Sequence, residues 1–305
     1  MALVFIFIDG VGLGADNGHN PFALNDYPAF SAMAGGQSFT SEAGPYQNGN
    51  HFFSPVDACL GVDGLPQSGT GQVTLFTGVN SALLLGRHFG PYPHSAIREL
   101  LAERSIFQKI GAEKGVCYFM NAFPQRFIDY ATTTNRWSST TFMTVKAGLK
   151  LNSVQEIMDE RAITAELTQD VWRTRLSMDV PVITENEAAD RVITATKSND
   201  IILVEYYLTD KAGHSRDVTL AQKILVRLDR FLQHLINNQP EHDYTLLLTS
   251  DHGNLEDLSV KTHTRNPVPF FVLGEGAAVF HDVASIQDVT PHCVEWYRSF
   301  FGHGR

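Results

Sequence analysis

Cysteine is scarce in this 305-residue sequence, and the three present, Cys59, Cys117 and Cys293, lie far apart. An odd, scattered set excludes a disulfide framework and a cysteine-based zinc site, and fits unpaired thiols in a reducing, cytoplasmic compartment. Positive charge is also short: 23 Lys and Arg stand against 33 Asp and Glu, a net charge of −10. Nucleic acid and anionic membrane surfaces both require a basic patch, so the expectation is no nucleic acid and no membrane as partner. A phosphate-bearing substrate stays open, because bound metal can reverse the local field. No apolar run approaches the length of a membrane span. The first residues, MALVFIFIDGVGLG, lack a basic leader and a small-residue cleavage site, and read as a buried strand ended by Asp9. Internal repeats and low-complexity tracts are absent as well.

Hydrophobic residues make up 43% of the chain, ample for a large core. Short apolar runs at Leu3–Ile8, Ile201–Val204, Tyr244–Leu248 and Pro269–Leu273 read as buried parallel strands. Between them AQKILVRLDRFLQHLI places Ile224, Leu225, Leu228, Phe231, Leu232 and Leu235 on one helical face. The alternation implies an α/β fold with a mostly parallel central sheet flanked by helices. Residues 87–190, rich in aromatic and polar residues, break that rhythm. They are assigned to an inserted cap or substrate segment, leaving 1–86 and 191–305 as the metal-binding catalytic domain. Apolar surface in the insert could serve a homo-oligomer or cover the site.

Ligands in open sheets of this kind gather beyond the carboxyl ends of the strands. Three polar clusters fall there. Asp9 follows the first strand in FIDGVG, where a lone Asp-Gly would ordinarily be a turn. Asp210 and His214 in TDKAGH are four apart, one face of a helix, although an N-cap Asp with a surface His has the same spacing. Asp251, His252 and His263 lie in TSDHGNLEDLSVKTHT, just past a buried strand. Carboxylate and imidazole suit Mn²⁺ or Zn²⁺, with Mg²⁺ less at home on nitrogen. Six candidate ligands exceed what one tetrahedral ion takes, so two ions fit better. A pair of ions is the arrangement that clamps the entering and leaving oxygens of a phosphoryl group.

FIFIDGVG, DKAGH and TSDHGNLE…THTRNPVPFFVLG together resemble the alkaline phosphatase superfamily, above all the metalloenzyme domain shared by cofactor-independent phosphoglycerate mutase and phosphopentomutase. The resemblance covers roughly residues 1–85 and 195–305. It implies one ion on Asp9, Asp251 and His252, and a second on Asp210, His214 and His263. It also implies a hydroxyl nucleophile at the start of a helix, which points to GLPQSGTGQVTLFTG, residues 64–78. Thr70 fits that role best, with Ser68 as the alternative; either could equally be a helix N-cap. The phosphoglycerate mutases carry a serine in a GNSEVGH-like stretch there, whereas SGTGQVT is closer to phosphopentomutase.

Arg87 and His88, after this helix, are candidate substrate contacts, as are Arg126 and Arg136 in the insert; a guanidinium forks onto phosphate or carboxylate. Asn254 and Thr262 could orient neighbouring ligands. The expected function is two-metal phosphoryl transfer on a small phosphorylated metabolite. The short insert favours hydrolysis of a phosphomonoester over a mutase, in which a larger insert would hold the dephosphorylated intermediate. A catalytically silent metal-binding protein of the same fold is the reading from another class. A C/S-x-P-x-R sulfatase setting is absent.

Overall fold

The computed structural model describes residues 1–302. Seven strands form one sheet: β1 (Ala2–Ile8), β2 (Tyr46–Asn48), β3 (His51–Val56), β4 (Cys117–Phe119), β5 (Ile201–Tyr206), β6 (Tyr244–Thr249) and β7 (Val268–Leu273), in the order β2-β3-β7-β6-β1-β5-β4. The centre, β4-β5-β1-β6, is parallel. The three strands on the other side run antiparallel to their neighbours. The Pro269–Leu273 run therefore departs from the parallel expectation. A buried run states that both faces are covered, but not which way the strand points.

Strand β1 shows how the core divides. All seven of its residues are fully buried. Val4, Ile6 and Ile8 enter one hydrophobic cluster, while Leu3, Phe5 and Phe7 enter the other. Alternate side chains thus feed opposite layers, as the two-residue strand period requires. On the first face packs helix Val218–Asn238, two residues longer at its C-terminal end and three at its N-terminal end than the apolar pattern of 221–236. Asp217 caps it by accepting from the Leu220 N–H. Its six apolar stripe residues are all buried, each contributing about 1.5–3 kcal/mol over an exposed position. The second face carries helices Ser68–Thr77, Ser95–Arg104 and Ile286–Phe301.

Residues 87–190 are not uniformly an insert. Strand β4 completes the sheet against β5, and Ile97, Leu101, Ile106, Phe107 and Ile110 belong to the second core cluster. Three-residue β4 was too short to carry a strand pattern. Beyond it, Ala122, Ile157, Ala162, Trp172 and Val180 form a separate small core. That satellite lies beside the carboxyl ends of β1 and β5. Among the described residues no helix is long and apolar enough to cross a membrane.

Candidate metal centre and active site

The loops leaving β1, β5 and β6 converge at one edge of the sheet. Asp9 directly follows β1, and its amide continues the ladder to the Tyr206 carbonyl. Gly10 then turns the chain with φ of 70°; a Cβ there would lie 2.8 Å from Asp210 Cβ, so only glycine lets the two loops meet. Asp210 and His214 sit on helix Leu208–Ser215, one turn apart, with His214 Nε2 3.4 Å from Asp210 Oδ2. Asp251 and His252 follow β6.

Each imidazole is oriented by a backbone carbonyl. His263 Nδ1 lies 2.7 Å from Pro66 O, His214 Nδ1 3.2 Å from Lys261 O, and His252 Nδ1 3.3 Å from Gly253 O. Those carbonyls accept an Nδ1–H, which leaves Nε2 of every ring as the free lone pair. The three Nε2 atoms turn inward. His252 Nε2 is 3.3 Å from Asp9 Oδ1 and 3.5 Å from Asp251 Oδ2; His263 Nε2 is 3.6 Å from Asp210 Oδ1 and 3.2 Å from His214 Nε2. The His252 and His263 rings stack at 3.8 Å and 14°. The side chains form two groups, Asp9–Asp251–His252 and Asp210–His214–His263, with donor atoms in each all within 4.8 Å of one another.

The electrostatics of this cluster call for cations. Asp9, Asp251 and His252 are buried, and Asp9 Oδ1 and Asp251 Oδ2 have no hydrogen-bond partner. Burial, then the Asp251, Asp210 and Glu205 carboxylates, push Asp9 well above the ordinary carboxylate range. Burial and Asp210 push Asp251 up to about 7. Burial and the His252 ring beside it bring His263 down to about 4, so its lone pair stays available. Buried like charges with orphaned oxygens facing the His252 and His263 rings, whose protonation burial disfavours, are a poor arrangement alone and a suitable one around a divalent ion. The mixed oxygen and nitrogen donor set matches Zn²⁺ or Mn²⁺.

Helix Ser68–Thr77 runs into the site with its N-terminus, and ends at Gly78 with φ of 74°. Ser68 Oγ lies 2.9 Å from His252 Nε2. Thr70 is turned away: its Oγ1 donates to Gln67 O at 3.2 Å and accepts from the Phe89 N–H at 3.2 Å, and it is fully buried. The difference is rotational. Two residues along a helix turn through about 200°, so Ser68 and Thr70 face opposite ways. Gln72, one turn on from Ser68, donates to Asp9 Oδ2 at 3.1 Å. Gly71 gives the helix its close approach; a Cβ there would meet Asp251 O at 2.8 Å.

A cavity of about 790 Å³ opens from Asp9, Ser68, Gln72, Asp210 and Glu205. Arg87 and His88 do not reach it. They line a separate shallow hollow with Asp63, Gly64, Leu65 and Gln67, and Arg87 lies over the Phe89 ring at 5.7 Å. Arg126 is at the cavity, and Arg136 instead reaches the Tyr130 hydroxyl at 3.5 Å. Asn254 Nδ2 donates to Asp210 Oδ1 at 2.6 Å.

Three site residues escaped the sequence reading. Glu256 Oε2 accepts from the Gly12 and Asn254 amides at 2.9 and 2.7 Å, while Oε1 accepts from Asn266 Nδ2 at 3.0 Å and from the Thr264 hydroxyl. One carboxylate thereby ties together the loops after β1 and β6 and the approach to β7. Glu205 lines the cavity and accepts from Thr140 Oγ1 at 2.8 Å; burial pushes it up to about 7, and Asp251 adds to this. Thr209 Oγ1 donates to Asp9 O at 2.6 Å. The available signal was an acid inside the apolar run ILVEYY, and an acid just past DHGN.

A family model described as the metalloenzyme superfamily matches residues 1–296. The chain belongs to that superfamily. Among curated relatives, the 2,3-bisphosphoglycerate-independent phosphoglycerate mutase of Desulforudis audaxviator is 30% identical over 118 residues, 36% of this chain and 23% of that protein. The enzyme of the same name from Ehrlichia canis is 28% identical over 124 residues, 38% of this chain and 25% of its own length. The matches thus span about a quarter of those relatives. Among solved structures, the PH0037 protein of Pyrococcus horikoshii aligns with a TM-score of 0.57 at 14% identity, covering 97% of this chain and 96% of that one. A cold-active alkaline phosphatase from Shewanella sp. aligns with a TM-score of 0.53 at 11% identity, covering 97% and 99%. The fold of this superfamily member is therefore alkaline-phosphatase-like, with the parallel centre of the sheet flanked by helices.

Proposed function

We propose that the protein is a metal-dependent phosphoryl-transfer enzyme that hydrolyses a phosphomonoester, with Ser68 as nucleophile and two divalent ions, Zn²⁺ or Mn²⁺, as cofactors. Asp9, Asp251 and His252 would hold one ion, and Asp210, His214 and His263 the other. When bound, such ions stabilise charge on phosphoryl oxygens and lower the pKa of a hydroxyl beside them. The observation that carries the reading is Ser68 Oγ at 2.9 Å from His252 Nε2, at a helix N-terminus and at the floor of the cavity.

The residues of the chain divide the work. Ser68 Oγ forms a bond to phosphorus as the bond from phosphorus to the ester oxygen breaks, and the serine proton ends, by way of solvent, on the departing alkoxide, which leaves as the alcohol. The N-terminus of helix Ser68–Thr77 favours the anionic oxygen and the phosphate it meets. Water then opens the phosphoserine and releases phosphate. Gln72, Thr209 and Asn254 hold Asp9 and Asp210 in place. Ser68 thus takes the role that the sequence pattern offered first to Thr70, whose hydroxyl is spent on the Gln67 carbonyl and Phe89 amide.

A phosphomutase is the second reading, favoured by the names of the curated relatives; it differs in that a substrate hydroxyl, rather than water, takes the phosphoryl group from Ser68. The test is to incubate the Zn²⁺- or Mn²⁺-loaded protein with a panel of phosphomonoesters, measuring phosphate release and mapping the phosphorylated residue by mass spectrometry. Release should fall by roughly 10³-fold or more in Ser68→Ala, whereas Thr70→Ala should still form phosphoserine. Isomerised ester without free phosphate would select the mutase. Metal binding with neither product would select a silent metal-binding protein.

A further inference from the structure

The walls of the cavity differ in kind from its floor. Helix Gln125–Thr134 presents Phe127 and Tyr130, three residues apart and so on one face. Phe123 stacks on Phe127 with centroids 4.9 Å apart and planes 23° from parallel. Helix Asp170–Leu176 presents Trp172 and Leu176, again one turn apart. Trp172 is nearly fully buried, anchored in the small core with Ala122, Ile157, Ala162 and Val180.

Charge is distributed the other way. Besides Asp9 and Asp210 on the floor, the lining includes Glu166 and Glu205, and among the described residues Arg126 is its single basic one. Arg126 is exposed. Glu166 is buried, accepts from the Val171 amide at 3.1 Å, and is pushed up by burial. A leaving group carrying a carboxylate would lose water against aromatic walls and face acids beside it. A flat apolar leaving group would instead replace water on surfaces that stack well with aromatic rings.

We infer that the substrate is a phosphate monoester of a flat, apolar alcohol, with the phosphate on the Ser68 floor and an aryl or arylalkyl group between the Phe127 and Trp172 walls. This rests on the phosphomonoesterase reading and narrows it. The wall is built by residues 121–176, the part of the chain least like a continuation of the sheet. Selectivity would therefore come from the cap, and chemistry from the strand ends.

The test compares three esters with similar alkoxide leaving groups on the metal-loaded enzyme: 2-naphthylmethyl phosphate, ethyl phosphate and 3-phosphoglycerate (for the last, loss of the phosphate). kcat/KM for the naphthylmethyl ester should exceed the other two by roughly 100-fold, within the range a hydrophobic pocket supplies. Phe127→Ala, a half-buried position outside the small core, should lower the naphthylmethyl value roughly tenfold and leave ethyl phosphate within about twofold. Equal values for the three esters, a preference for 3-phosphoglycerate, or an equal loss on all esters in Phe127→Ala would overturn the inference while leaving the phosphomonoesterase reading intact. A binding measurement covers the opposite case, in which no ester turns over. Saturable quenching of tryptophan emission by 2-naphthylmethanol, removed in Trp172→Phe and weakened in Phe127→Ala, would sustain the apolar pocket even if the catalytic reading failed; absence of quenching in the wild type would sink it.

Discussion

A single buried carboxylate, Glu256, holds the site's loops in register. It receives four hydrogen bonds, from Gly12, Asn254, Thr264 and Asn266, and those donors belong to three segments that are separate in sequence. Glutamine has nearly the same shape but offers one oxygen, and its NH₂ would face donors. Glu256→Gln should therefore cost about 1–3 kcal/mol in urea unfolding and weaken metal uptake in parallel; unchanged stability and uptake would show that the network is dispensable. The same reasoning at Ser68 and Thr70 separates two hydroxyls only two residues apart. Both types and both spacings were visible in SGTG, but the helical phase that aims one at His252 and the other at Phe89 depends on where the helix begins, here at Ser68 itself.

Helix Ser68–Thr77 is held by backbone proximity at Gly71 as well as by the buried side chains of Val73, Leu75 and Phe76. Gly71 lies against the Asp251 carbonyl, so Gly71→Ala must push the helix, and Ser68 with it, away from Asp251 and His252. A stability loss of about 1–3 kcal/mol and a fall in kcat/KM are expected, read by thermal unfolding and steady-state kinetics. Gly111, in helix Ile106–Ala112, has nothing near its missing Cβ; Gly111→Ala should instead stabilise by about 0.5–1 kcal/mol. Opposite signs at two helical glycines would separate close approach from propensity. A third element, helix Val154–Met158, starts with a capping box between Ser153 and Glu156. Burial raises the Glu156 carboxyl, but Lys150 at 2.7 Å and the Ser153 amide and hydroxyl outweigh it and bring it down to about 2. Since the folded pKa lies below the unfolded one, this stability is present above about pH 4.5 and is lost as pH falls towards 2. Lys150 is exposed and solvent screens it, so the contribution is about 1 kcal/mol. The gap between wild type and Glu156→Gln in chemical denaturation should be open at pH 7, narrower at pH 3 and nearly closed only at about pH 2.

At the scale of the whole molecule, the fold concentrates negative charge where its strands end. Asp9 and Asp251 are buried together with Asp210 close by, a cost that bound cations would offset. Asp251→Asn keeps an oxygen able to accept from the Gly10 amide and removes one charge. Under chelator it should raise the unfolding temperature above that of the wild type. With Zn²⁺ or Mn²⁺ added, the wild type should gain stability in step with metal concentration and the variant should gain little. A variant less stable than wild type under chelator would mean that the carboxylate is structurally paired rather than held for metal. The thiols give an independent check on the core: Cys117 and Cys293 are buried and pushed far up by that burial, whereas Cys59 is only half-buried. A thiol reagent should modify one cysteine in the folded protein and three on unfolding.

The strand ends and the candidate ligands beyond them could be read in advance because they depend on local order: apolar runs of strand length, followed at once by Asp9 or by Asp251 and His252, and a four-residue spacing at Asp210 and His214. Hydrophobic burial and helical period act over a few residues, so a linear sequence carries them. Strand direction, the inclusion of Cys117–Phe119 in the sheet, the choice of Ser68 over Thr70 in facing His252, and the joining of three loops by Glu256 depend on pairs of residues up to some 240 positions apart. Such pairs meet only when the sheet has closed its order, and nothing in the neighbouring sequence of either partner records the encounter. The cavity is the extreme case. Its aromatic wall comes from two short helices, Gln125–Thr134 and Asp170–Leu176, and it acquires meaning only because the tertiary structure sets it opposite the candidate ligands at the strand ends.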